Sequence, residues 1–301
     1  MGITVLDFED EALDERFSQL REDVEQYEES WWIHDEWARK IWSNEPALLK
    51  VLSSRTLEGH VVQTIDVHRA GPTWRHPRPA LHKQIVTSVL REYLPTPDMD
   101  RPPAFLLYGG PGSGKSSSLR PLVQKPGMSI ALPLDADDVR VELPEYAGGR
   151  GSAVVQEECA YVTYGELRST CLMGNPNQHG ICIDAVGDPK WSVGDYHQLN
   201  EAGYRVYALV AQCPLDQAVR RIKRRAIETG RFVDVEFAQS VGDRPKRALD
   251  ALLAAQSKGE IHLAGWGLFD TSDGQPRGAP LVLDGDGTFG SAGAAAVRPA
   301  L

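Results

Sequence analysis

The sequence predicts an α/β domain, a parallel sheet flanked by helices, behind an N-terminal helical extension. Three observations predict it. Residues 104–116 read Ala-Phe-Leu-Leu-Tyr-Gly-Gly-Pro-Gly-Ser-Gly-Lys-Ser, an apolar run that breaks into a glycine-rich loop. Short apolar runs then alternate with longer helical patterns, as parallel strands do with their crossovers. Residues 8–53 instead repeat apolar side chains at helical spacing.

In the extension, Phe17, Leu20, Val24, Tyr27, Trp31 and Trp32 form a stripe beside an acidic face. Trp37 to Trp42 is a second segment that stops near Pro46, and Ala47 to Leu52 follows. So many aromatic residues predict docking, onto the chain's own core or onto a partner, and packing within the chain is the simpler reading. Residues 59–79 read as an irregular connection punctuated by Gly71-Pro72, Pro77 and Pro79. Leu81 to Tyr93 is helical, with Ile85, Val89 and Leu90 on one face, and Pro95, Pro97, Pro102 and Pro103 stiffen the entry to the first strand. The expected divisions are 1–60 for the acidic extension, 61–103 for the connection, 104–270 for the core and 271–301 for a hairpin and loose tail.

Within the core, Ala104 to Tyr108, Ser129 to Leu134, Gly180 to Ile183 and Tyr204 to Ala211 are the expected strands. Helices are expected over Ser117–Val123, Val154–Met173, Tyr196–Ala202, Leu215–Glu228 and 236–257, with late strands or a hairpin in Ile261–Leu283. Reactive groups in such a sheet belong at the carboxyl ends of the strands.

The 301 residues carry a net charge of −10, which argues against broad binding to nucleic acid. Residues 1–30 hold eleven acids against Arg16 and Arg21, so the remainder is nearly neutral and need not repel a phosphorylated substrate. Four cysteines without a Cys-x-x-Cys pair fit buried thiols in a reducing, cytoplasmic setting better than disulfides or zinc. No stretch is long enough to span a bilayer, and the N-terminus lacks a signal-peptide layout. His68, His76, His82 and His179 show no metal-binding spacing.

Gly109, Gly114, Lys115 and Ser116 match the phosphate-loop pattern G-x-x-x-x-G-K-[ST]. In such a loop the backbone of Gly109, Gly110, Pro111, Gly112, Ser113, Gly114, Lys115, Ser116 and Ser117 wraps the phosphates of ATP or GTP, helped by the helix N-terminus that follows. Lys115 reaches the β- and γ-phosphates and the Ser116 hydroxyl takes Mg2+. Three clusters at strand ends fit phosphoryl transfer. Asp135-Ala136-Asp137-Asp138-Val139-Arg140 offers a carboxylate to align and deprotonate an attacking hydroxyl, Asp137 first and Asp135 second, against a solvated acidic turn or a helix N-cap. Ile181-Cys182-Ile183-Asp184 has the layout of a strand whose terminal acid holds Mg2+, although capping duty is an alternative. Arg220, Arg221, Lys223, Arg224 and Arg225, with Arg231 beyond Gly230, suit a lid that neutralises charge on the transferred phosphoryl, or else a solvated helix paired with Asp216, Glu228 and Asp234. Arg140, Asp135, Asp184 and Glu158 are the candidates for contact with the acceptor. Glu157 and Glu158 equally suit the first turn of a helix.

Taken in order, these segments resemble the zeta-toxin family of small-molecule kinases. The likeness rests on Gly-Gly-Pro-Gly-Ser-Gly-Lys-Ser (109–116), Asp-Ala-Asp-Asp-Val-Arg (135–140), Leu-Pro-Glu-Tyr (143–146) and Glu-Glu-Cys-Ala (157–160). It extends to the strand into Asp184, Glu-Ala-Gly-Tyr (201–204), the arginine-rich helix ending in Gly-Arg (230–231) and the upstream Arg-Pro-Ala-Leu-His-Lys-Gln-Ile-Val (78–86), over roughly residues 75–260. The resemblance implies an ATP- or GTP-dependent kinase acting on a sugar or ribose hydroxyl, with UDP-N-acetylglucosamine or NAD as acceptor. It implies Asp137 as base and Arg225 and Arg231 as lid arginines, with Arg221 or Arg224 beside them. It also implies an antitoxin partner, or self-inhibition by the N-terminal helices in its place. Two departures fall near the acceptor pocket: Asp184-Ala185-Val186-Gly187 where many members have Glu-Gly-Thr, and Leu143-Pro144 where many have His-Pro. A polynucleotide 5′-kinase, an antibiotic phosphotransferase and a non-catalytic nucleotide switch are the alternatives in this reading.

Overall fold

The computed structural model describes residues 10–93, 101–123, 131–173, 180–272 and 277–278. The expected tail at 284–301, His179, and Pro95 and Pro97 of the linker lie outside them. The chain forms two compact units. One holds residues 84–136, 162–219 and 235–301, the other residues 1–83, 137–161 and 220–234.

The first unit contains the sheet. Its strands are β1 (Pro103–Tyr108), β2 (Leu132–Leu134), β3 (Ile181–Ala185), β4 (Arg205–Gln212), β5 (Gly265–Asp270) and β6 (Arg277–Gly278), in the order β2-β3-β1-β4-β5-β6. The first five are parallel and β6 is antiparallel to β5. Every residue of β1 is buried, as a central parallel strand covered on both faces requires. Its register pairs Phe105 with Cys182 on one side and Leu107 with Leu209 on the other. Alternation divides the core in two. Ala104, Leu106 and Tyr108 face a cluster with Leu167, Tyr196, Leu199, Leu249 and Leu252 from three helices. Phe105 and Leu107 face Leu119, Val123, Tyr207 and Phe269.

Two local expectations shift. The single helix expected over 236–257 is two, Val235–Val241 and Arg244–Ser257. The break falls at Gly242-Asp243, and Pro245 occupies the first turn of the second helix, where its missing N–H costs nothing. The strand expected from Ser129 is described only from Leu132.

The second unit holds α1 (Asp10–His34), α2 (Glu36–Asn44), α3 (Pro46–Leu57) and α4 (Thr64–His68), with a ribbon of Arg69–Ala70 against Thr73–Trp74. Helix α4 lies inside the stretch expected to be irregular, because five residues are too few to show a period. The stripe on α1 packs within the chain: Leu13, Phe17, Val24, Trp31 and Trp32 are buried. Trp31 Nε1 donates to Val62 O at 2.7 Å, and Phe17 stacks on Phe232 with ring centroids 5.1 Å apart. Asp35 begins α2, its Oδ1 accepting from the Ala38 N–H at 2.7 Å.

Burial, then the like charges of Glu25 and Asp234, push the Glu28 carboxyl up to about 7. A raised carboxyl pKa means that the folded chain keeps a proton the unfolded chain releases. The cost is therefore absent below the ordinary value of 4.5, grows from there to about 7 and stays constant above it. Glu28→Gln is expected to raise the melting temperature by about 2–4 °C at pH 8 and to leave it unchanged at pH 4, read in thermal melts.

Candidate active site

In the sheet unit, β1 runs into the phosphate loop and the loop into a helix that starts at Lys115, a π-type turn to Leu119 followed by Arg120–Val123. The Gly109 N–H donates to the carbonyls of Ala185 and Val186 at 3.2 and 3.1 Å, tying the loop to the end of β3. Thr271, just past β5, donates its hydroxyl to Ser113 O. Gly112 has φ +71°, and a Cβ there would run into the carbonyl of Ala218. Only glycine fits a backbone so turned and so close to its neighbour.

Lys115 Nζ donates to Gly109 O at 2.5 Å and Gly110 O at 3.3 Å, and lies 3.5 Å from Asp184 Oδ1. The ammonium thus rests on loop carbonyls that a polyphosphate, with its higher charge, would displace. Asp184 closes β3, only 9% exposed, and its carbonyl accepts from Tyr164 OH at 2.7 Å. Arg120 pairs with Asp135 and lies 3.6 Å from Asp184 Oδ2, holding both carboxylates. The exposed Ser116 follows Lys115 directly. A hydroxyl and a carboxylate flanking the phosphate-loop lysine are the hard oxygen donors that Mg2+ takes, so Ser116 and Asp184 fit that ion. A cavity of about 580 Å3 adjoins the loop, lined by Pro111, Leu215, Val241 and Leu268, with Ser113, Gln212, Gln239, Asp270 and Ser272 among its polar members. Its apolar walls suit the face of a planar heteroaromatic ring and its polar side chains the ring's edge.

In the second unit, the helix Ala136–Arg140 carries Asp137. Asp137 pairs with Arg140 at 3.1 Å and with Arg231. Arg140, buried, also donates to Gln156. Arg231 is placed by close backbone packing: Gly149 has φ +113°, and a Cβ there would run into the carbonyl of Gly230. Arg221 and Arg225 lie half-buried on the helix Leu215–Thr229, and Lys223 reaches Asp14 of α1 at 2.5 Å.

Behind this group lies a buried ionic network. Arg78 pairs with Glu145 and lies 3.5 Å from Glu158 Oε1, which also bonds His82 Nε2 at 2.8 Å. Burial alone would raise the Glu145 carboxyl; His68 and Arg78 override it and hold it down at about 2. Glu158, expected among the candidates for contact with an acceptor, is at 0% exposure and is bonded to His82. Arg78→Ala would leave two buried carboxylates with, among the described residues, only His82 and His68 beside them and is expected to cost about 3–5 kcal/mol in denaturant unfolding.

Sequence reasoning missed Arg120, Thr271 and Glu145. Glu145 was visible within Leu-Pro-Glu-Tyr, but nothing in one sequence shows that it is buried against Arg78. Arg120 sits one turn beyond the loop, where any exposed cation would look the same.

A family model for the zeta toxins matches residues 87–262, more than half of the chain. The chain belongs to the zeta toxin family. Members of the zeta toxin family are P-loop kinases, and the order β2-β3-β1-β4-β5 seen here is the corresponding sheet. A search of curated protein sequences finds no match. Among solved structures, the native AvrRxo1-ORF1:-ORF2 complex is similar at 16% identity and a TM-score of 0.59, over 75% of this chain and 78% of that one. The same complex with sulphate ions gives 16% and 0.56 over the same shares. The complex with ATP gives 16% and 0.57, over 70% of this chain and 73% of that one. At that identity the likeness is one of fold. No helix among the described residues of this zeta toxin family chain is long and apolar enough to cross a membrane.

Proposed function

We propose that this zeta toxin family chain transfers the γ-phosphoryl of ATP or GTP to a sugar or ribose hydroxyl of a nucleotide-type metabolite, a nucleotide sugar such as UDP-N-acetylglucosamine or a dinucleotide. The observation that carries the reading is the loop from Gly109 to Ser116 with Lys115 Nζ 3.5 Å from Asp184. An AvrRxo1-ORF1:-ORF2 complex of similar fold holds ATP. In this reading the loop from Gly109 to Ser117 wraps the phosphates, and the neighbouring cavity takes the base. Ser116 and Asp184 would hold Mg2+, which neutralises phosphate charge.

Asp137 takes the proton of the acceptor hydroxyl as its oxygen bonds to the γ-phosphorus and the bond to the bridging oxygen breaks, releasing the nucleoside diphosphate. Arg231, with Arg225 and Arg221, meets the charge on the transferred phosphoryl. Arg231 leaves Asp137 to do so, which frees the carboxylate as a base. Arg140 keeps Asp137 oriented, and Asp135 stays with Arg120. The cytoplasm, where ATP is available, is the setting. Restraint comes from an antitoxin partner or from the chain's own α1, whose Asp14 pairs with Lys223 and whose Phe17 stacks on Phe232, the residue after Arg231. Incubation with γ-labelled ATP and a panel of nucleotide sugars and dinucleotides is expected to label one acceptor, and Lys115→Ala to abolish the label. Absence of labelled product across the panel would count against this acceptor class.

A further inference from the structure

Three residues distant in sequence meet at the junction of α1 and α2. One potential ligand atom each from Asp35, His68 and Glu145 lies within 4.8 Å of the others. His68 is 2% exposed and Glu145 6%. Neither ring nitrogen of His68 has a hydrogen-bond partner among the described residues, and neither has Glu145 Oε2. His68 Nε2 lies 3.4 Å from Glu145 Oε1 without hydrogen-bond alignment. An imidazolium bridging two carboxylates would donate both N–H groups; here neither is in bonding geometry. Leaving such groups buried and unpaired is costly, so the arrangement calls for a further partner.

The surrounding bonds leave lone pairs for that partner. Arg78 holds Glu145 through Oε1, leaving the buried Oε2 without a hydrogen-bond partner among the described residues. Asp35 uses Oδ1 for its cap, leaving Oδ2. Tyr27 OH donates to the Glu145 carbonyl at 3.1 Å, fixing the backbone there. We propose that Asp35, His68 and Glu145 bind a divalent transition-metal ion, Zn2+ foremost. One imidazole and two carboxylates form a donor set for Zn2+; Mg2+ and Ca2+ prefer oxygen alone. Ligand atoms on a tetrahedral zinc stand about 3.3 Å apart, so Asp35, the half-buried member, swings inward on binding. The ion would clip α2 and α4 to the segment that follows Asp137, independently of the Mg2+ assigned to Ser116 and Asp184.

The test uses the full chain stripped with chelator, in an Asp184→Asn background that removes the phosphate-loop cation site. Zn2+ is titrated calorimetrically, Co2+ is followed by its visible absorption, and melting temperature is read with and without Zn2+. One Zn2+ per chain and a raised melting temperature are expected. His68→Gln and Asp35→Asn are expected to weaken Zn2+ binding by more than about 100-fold and to abolish the thermal shift. Should His68→Gln fail to fold, Asp35→Asn carries the test, because its amide oxygen retains the cap. Absence of Zn2+ binding in the Asp184→Asn background, or equal binding by Asp35→Asn, would overturn the proposal whether or not the kinase reading holds.

Discussion

Asp137→Asn is expected to cut phosphoryl transfer by about 10²–10⁴-fold while leaving nucleotide affinity nearly unchanged. The amide keeps the shape of the carboxylate and can still accept from Arg140, but it cannot take a proton at neutral pH. The phosphate loop, with Lys115 on its own carbonyls and Asp184 nearby, is untouched by the change. Calorimetric titration with a nucleotide, set beside steady-state turnover, separates the two effects. Turnover at the parent rate would remove Asp137 from the chemistry. Asp137→Asn also removes the counter-charge of Arg140 and Arg231, which are 7% and 18% exposed, so a thermal melt of the variant accompanies the rate and separates lost catalysis from lost folding.

Arg231→Ala is the second large effect, about 10³–10⁵-fold in turnover if its guanidinium meets the transferred phosphoryl. Its side chain already lies against Asp137, the proposed base. Two roles are open to it, holding the base and neutralising charge, and a pair of variants distinguishes them. Arg231→Lys keeps a cation able to pair with Asp137 but loses the planar fork, so it is expected to recover only a small part of the rate. Arg231→Ala combined with Asp137→Asn is expected to be barely worse than the poorer single change, since the two residues act as a unit. Full additivity would assign them to separate steps.

Much of the fold was legible because it is written locally. Ala104 to Tyr108 followed by the glycine-rich loop, the apolar runs at Ile181 and Val206, and the basic helix from Leu215 each state their own conformation through periodicity and punctuation. The two-helix break at Gly242 was less legible: a glycine within a helical pattern is often tolerated, and Pro245 marks a helix start only when the preceding turn is known. At the candidate site, residue types were readable and partnerships were not. Asp135 and Asp137 look alike on paper, yet one is bound by Arg120 and the other by Arg140 and Arg231. Glu158 read as an acceptor contact because a carboxylate is ordinarily exposed. Its burial follows from His82 and Arg78, which come from a different segment of the chain. His68 showed no metal spacing because its companions at Asp35 and Glu145 are set by tertiary packing rather than by a helical repeat.

The proposed reaction is phosphoryl transfer from a nucleotide bound at Lys115 to a hydroxyl of a small metabolite. Its most direct test is untargeted mass spectrometry of a cell metabolite extract incubated with the chain, ATP and Mg2+, beside the Lys115→Ala variant. A single metabolite is expected to gain the mass of one phosphate with the parent chain and not with the variant. Nucleotide hydrolysis with no phosphorylated metabolite would contradict that reaction.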